Sequence, residues 1–95
     1  MTDTEAKSRA IKETNYCYVL AQAKIDYANN NSIYLERIFT KGGCEEIRLA
    51  WWSGGKLAPR PADIDAVDWV ALFTDAVRNG VFTAEEQLDM IKTLI

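Results

Sequence analysis

Ninety-five residues at 10.7 kDa suffice for one hydrophobic core and are too few for two, so the sequence predicts a single domain over 1–95. Apolar residues make up 48% and charged residues 26% of the chain, a balance that excludes the low-hydrophobicity, high-charge class of disordered chains. Net charge is −3 and histidine is absent, which removes the side chain most used for acid–base catalysis and metal ligation near neutral pH.

In chain order, residues 1–13 are polar, with Ala6, Ala10 and Ile11 spaced as one helix face, and form either a short helix or a frayed tail. From Tyr16 to Ile25 the odd positions Cys17, Val19, Ala21, Ala23 and Ile25 are all apolar, which favours a strand. The helix propensity of Ala21-Gln22-Ala23-Lys24 keeps a helix open as the alternative. Asn29-Asn30-Asn31 reads as a turn.

Residues Ile33 to Phe39 and Glu46 to Trp52 are rich in β-branched and aromatic side chains and flank Lys41-Gly42-Gly43, the pattern of a β-hairpin. A three-residue loop sets Glu36 opposite Arg48, Leu35 opposite Leu49 and Ile33 opposite Trp51. A two-residue loop on Gly42-Gly43 would oppose Arg37 to Arg48, so charge and packing select the longer one. One face of the hairpin then carries Ile33, Leu35, Phe39, Ile47, Leu49 and Trp51, and the other carries Tyr34, Ile38 and Trp52.

Ser53-Gly54-Gly55-Lys56 turns the chain, and Pro59-Arg60-Pro61 holds it extended before a helix capped by Asp63. Between Ile64 and Asn79 a helical wheel groups Ala66, Trp69, Val70, Phe73, Ala76 and Val77 against Asp65, Asp68, Asp75 and Asn79, with Phe73 as the packing residue. Asn79-Gly80 stops that helix, and Thr83-x-x-Glu86 is a capping box for a second, whose buried stripe is Leu88, Ile91, Leu94 and Ile95. The predicted fold is α+β, with a small antiparallel sheet of two or three strands built on the 33–52 hairpin, followed by two C-terminal helices packed on one face.

The longest apolar run, Tyr16 to Ala21, is far short of the roughly 20 residues a membrane span needs. The polar start Met1-Thr2-Asp3-Thr4-Glu5 has no secretory pattern, so the expected location is the cytoplasm. Cys17 and Cys44 have no second pair to complete a zinc or redox motif, and both read as small buried hydrophobes, with no metal or cofactor expected.

Charge is uneven. Residues 36–60 hold Arg37, Lys41, Arg48, Lys56 and Arg60 against three glutamates, whereas 61–95 hold only Arg78 and Lys92 against seven acids. The acids Glu85, Glu86 and Asp89 on the last helix oppose a helix-turn-helix reading of the helix pair. Asp65, Asp68 and Asp75 read as a solvated ridge. Ser53-Gly54-Gly55-Lys56 lacks the phosphate-loop pattern and reads as a turn. No catalytic constellation is present, and the chain is expected not to be an enzyme.

Large apolar groups on both faces of a sheet covered by only two helices point to an interface. The leading expectation is a non-enzymatic protein-interaction module of adaptor or inhibitor type that self-associates as a homodimer through Trp52, Tyr34, Ile38 and Arg48, or meets another protein there. Against it stands a small monomeric core in which the N-terminal segment covers that second face. The alternative function is weak nucleic-acid or anion binding by Arg37, Lys41, Lys56 and Arg60 beside Arg48, disfavoured by an isoelectric point near 4.8.

Overall fold

Short turns between strongly β-forming segments give this chain a sheet in which every strand pairs with its neighbours in sequence. The computed structural model describes residues 1–59 and 63–95. Its elements are α1 (Asp3–Arg9), β1 (Lys12–Glu13), β2 (Cys17–Tyr27), β3 (Asn31–Thr40), β4 (Glu45–Ser53), β5 (Lys56–Leu57), α2 (Ala66–Arg78) and α3 (Ala84–Leu94). The five strands form one antiparallel sheet in the order β1-β2-β3-β4-β5.

The expected sheet of two or three strands is therefore too small. β1 and β5 were missed because each is two exposed residues long, too short to show a period of two. Local chemistry makes them instead. The Thr14 hydroxyl accepts from the backbone N–H groups of Tyr16 and Cys17 and folds the chain back onto β2. At the other edge Gly54 and Gly55, both at positive φ, close a two-residue turn.

The central hairpin has the expected register, with Ile33 opposite Trp51, Leu35 opposite Leu49 and Glu36 opposite Arg48. Its loop is Lys41 to Gly43, closed by Thr40 N–H donating to Cys44 O at 2.8 Å, with Gly43 at φ +93°. Residues 17–27 are a strand, so the helix alternative for that segment falls away. Asn29 and Asn30, each at φ 62°, make the turn into β3.

The sheet curls. The register shifts between Val19 and Ala21, and bulges of this kind bend a strand. In a flat sheet β1 and β4 would lie about 14 Å apart, three strand spacings, yet the Lys12 ammonium of β1 sits 3.6 Å from the ring centroid of Trp52 on β4. Cys17, Val19 and Ile38 form a small core on this concave side, covered by the sheet itself. The convex side takes the helices. Ala6 of α1 packs on Tyr18 and Phe39, and Leu72 and Ala76 of α2 pack with Val81 on Ala23, Ile33 and Leu35. The N-terminal segment thus forms a helix, capped by Thr2 and Glu5, that docks on the convex side, while Lys12 just after it lies over Trp52 on the concave side, so the alternative in which this segment covers the second face is met only at Lys12.

The helices depart from the wheel. Ile64 is drawn into the core cluster and stays non-helical, so the N-cap is Asp65 and not Asp63. Asp68 and Asn79, placed on the outer side by the wheel, reach back to β2. Tyr27 donates to the Asp68 carboxylate at 2.7 Å, an interaction that pushes the phenol up to about 12, and Asn79 Nδ2 donates to Gln22 O at 3.1 Å. These two contacts roll α2 onto Leu72 and Ala76, leaving Val70 exposed and Phe73 half-buried against Trp69 and Phe82. α3 buries none of its residues. Its expected core stripe is open, with Leu88 54%, Ile91 52%, Leu94 76% and Ile95 97% exposed. Cys17 is buried as expected, but Cys44, beside the hairpin turn, is exposed.

Leu72→Ala should lower the unfolding free energy by about 2–5 kcal/mol, the usual cost of truncating a buried leucine. Val67→Ala, on the outer side of the same helix, should stay within about 0.5 kcal/mol of wild type. Urea denaturation of the two variants separates these outcomes.

Candidate functional site

Two surfaces carry chemistry, one on each side of the sheet. On the concave side, cross-strand pairing puts Gln22, Glu36 and Arg48 in one row across β2, β3 and β4. Glu36 has no solvent exposure. Its Oε1 accepts from Arg48 Nε at 3.1 Å and Nη2 at 2.9 Å, and its Oε2 accepts from Gln22 Nε2 at 2.9 Å. A buried carboxylate demands such partners, because an unpaired charge away from water is costly. The same donors leave it no role as an acid or base facing substrate.

Beyond that row, Trp52 meets Tyr34 edge-on at 6.3 Å between centroids, with Lys12 over its own face. A shallow cavity of about 450 Å³ opens there, lined by Thr14, Asn15, Tyr16, Arg48, Trp52 and Leu57. The Trp52 Nε1 atom is buried and has no hydrogen-bond partner among the described residues. Two rings, an aliphatic wall and the edge of one guanidinium line this trough.

The convex side is organised by Arg37. Its Nε donates to Glu45 Oε2 at 2.6 Å, its Nη1 to Val81 O at 3.0 Å and Glu86 Oε1 at 2.8 Å, and its Nη2 to Glu86 Oε2 at 3.2 Å. One guanidinium thus ties β3, β4, the α2–α3 link and the first turn of α3. The Arg37 contact, helped by the backbone N–H of Thr83, holds the Glu86 carboxyl below its ordinary value, and Glu86 and Glu45 in turn raise Arg37. α2 lies over β2 and β3, so the β4 side chains on this face stay open, with Ile47 43% and Leu49 40% exposed.

Of the residues singled out in the sequence, Trp52, Tyr34, Ile38 and Arg48 all belong to the concave face. Ile38 is only 1% exposed, Tyr34 and Trp52 are half-buried, and Arg48 is engaged by Glu36. The basic residues do not gather. Arg37 projects from the opposite face to Arg48, Lys41 pairs with Glu13 at 2.7 Å at the hairpin tip, and Lys56 is exposed on the β5 edge. Arg60 lies outside the described residues. The open apolar surface of β4 and α3 was not singled out. Its signal was present as the stripe Leu88, Ile91, Leu94, Ile95, but a stripe alone does not say whether a helix buries it within its own chain.

Among the described residues no group of three or more His, Cys, Asp or Glu side chains is placed to hold a metal ion, and no helix is long and apolar enough to cross a membrane. Comparisons with protein-family models, with curated proteins and with solved structures find no match to this chain.

Two experiments probe these networks. Glu36→Ala strands Arg48 and should cost about 3–5 kcal/mol by urea denaturation, whereas Glu36→Leu combined with Arg48→Met should recover most of the loss. Because the folded state depresses Glu86, its contribution is complete above its unfolded value near 4.5 and fades as pH falls through the lower folded value. Protection factors for the α3 amides, intrinsic exchange rates divided by the measured rates at each pH, should therefore fall on acidification in wild type, and this added acid sensitivity should disappear in Glu86→Gln.

Proposed function

We propose that this chain is a non-enzymatic protein-interaction module of adaptor or inhibitor type, acting as a homodimer joined through the convex-side apolar surface of β4 and α3. The observation that carries this reading is α3 itself. It is a capped helix with apolar residues at helical spacing and not one buried residue. An isolated helix of eleven residues is marginal in water, so packing must hold it.

The size of the surface supports a second copy as what covers it. The open parts of Ile47, Leu49, Leu88, Ile91, Leu94 and Ile95 together make up most of the ~800 Å² per partner of a standard interface. α3 begins above Arg37 and Glu45, on the sheet face from which Ile47 and Leu49 project. A two-fold axis lets the helix of each copy meet the strand of the other and closes the assembly at two. The concave aromatic face is the weaker candidate, since Ile38 is interior and Lys12 already lies on Trp52. The absence of histidine and the full satisfaction of Glu36 support a non-catalytic role. Pairing of Arg37, Lys41 and Arg48 with glutamates weighs against phosphate binding.

Sedimentation equilibrium should find a dimer at micromolar concentration. Leu94→Asp and Ile91→Asp should each weaken it about tenfold or more with unchanged circular dichroism, because neither side chain serves the core. A monomer throughout the concentration series would overturn the proposal.

A further inference from the structure

The β4 strand has a second unmet demand, along its backbone. Cys44 O accepts from Thr40 N–H and Trp51 O accepts from Ala58 N–H, so the backbone groups of Cys44 face β3 and those of Trp51 face away from it. Facing alternates along an antiparallel strand, which turns the N–H and C=O groups of Glu45, Ile47 and Leu49 outward. β5 pairs only with Trp52 and Ser53, and no described strand pairs along β4 from Glu45 to Leu49. A five-residue window of open edge lies between the hairpin turn and β5. Open edges of this kind recruit strands.

We propose that this window pairs with the same window of a second copy, antiparallel and centred on Ile47, so that the two sheets become one. The inference rests on the homodimer reading above and specifies its backbone geometry. Ile47 then opposes its own counterpart, Glu45 opposes Leu49, and about six backbone hydrogen bonds form. The side chains between them supply the choice of partner. Glu46 of each copy falls opposite Arg48 of the other, twice over, so the stretch Glu46-Ile47-Arg48 is complementary to itself. Glu46 is exposed, and Glu36 uses only Nε and Nη2 of the five-donor Arg48 guanidinium.

Other registers fail. Centring on Leu49 brings Ile47 against Trp51, whose carbonyl is already taken by Ala58. Centring on Glu45 opposes two carboxylates and runs into the turn. A chain of different sequence would have to reproduce this charge order to pair as well, whereas a second copy supplies it automatically.

The test uses the full chain and sedimentation, with circular dichroism as a folding control. Ile47→Pro deletes an outward N–H and spares the β3 ladder, a change edge strands tolerate. It should weaken the dimer at least tenfold, and more than Ile47→Ala, which keeps the N–H. Glu46→Lys sets two cations together and should weaken it similarly at low salt, with the deficit shrinking at high salt. Ile47→Cys in a Cys44→Ser background should cross-link under mild oxidation, since directly opposed residues lie within disulfide reach; Val67→Cys in the same background should not. If Ile47→Pro and Glu46→Lys dimerise like wild type while Leu94→Asp does not, the edge pairing is overturned and the apolar interface stands. If the Ile47 variants dissociate and Leu94→Asp does not, the edge pairing stands and the α3 surface falls. A monomeric wild type overturns both.

Discussion

A carboxylate shut away from water has to be met by donors on every side, and in this chain that requirement binds three strands together. Glu36 is satisfied by Gln22 from β2 and Arg48 from β4 only while both pairings keep their register. A slip of one residue in β3 would turn Glu36 out to the convex side and drive Arg37 into the trough. Hydrophobic alternation alone would resist such a slip weakly here, because both faces of β3 carry large apolar groups. The polar row supplies the missing discrimination. The curl that covers Glu36 covers Cys17, Val19 and Ile38 as well.

The convex side follows from what remains. α1 and α2 cover β2 and β3, and among the described residues no helix packs in the same way on Ile47 and Leu49 of β4. Arg37 stands at the boundary between the covered and open halves and fixes the start of α3 by charge-assisted hydrogen bonds to Glu86. Polar anchoring of a helix by its first turn, with the apolar stripe left unburied, separates orientation from burial. Within one chain α3 is placed but not packed, and the proposed dimer supplies the packing.

How much of this was legible depends on the scale of the signal. The central hairpin, its three-residue loop and the capping box at Thr83 could be read because each is set by neighbours in sequence, whereas the alternation from Tyr16 to Ile25 favoured a strand without removing the helix alternative. β1 and β5 could not, because two residues carry no periodicity. The roll of α2 was misread for a different reason: Asp68 and Asn79 look like solvent-facing residues until Tyr27 and Gln22 O, far away in sequence, are brought beside them. The sequence placed the candidate interface on the Trp52 and Tyr34 face of the hairpin, and the interface proposed above uses its other face. The bend of the sheet, a property of strand twist and the bulge after Val19, half-buries Trp52 and Tyr34, which no local pattern announces.

The meander order has a kinetic meaning. Each strand finds its partner across a short turn, so the loop closures that build the sheet are all local and entropically cheap. Chains whose contacts are mostly near in sequence reach their native topology quickly, whereas the docking of α1 and α2, the meeting of Lys12 with Trp52 and the capture of Glu86 by Arg37 bring distant segments together. The placing of α3 thus depends on a contact that spans 49 positions of the chain, the Arg37–Glu86 pair, whereas each hairpin of the sheet needs only its own turn.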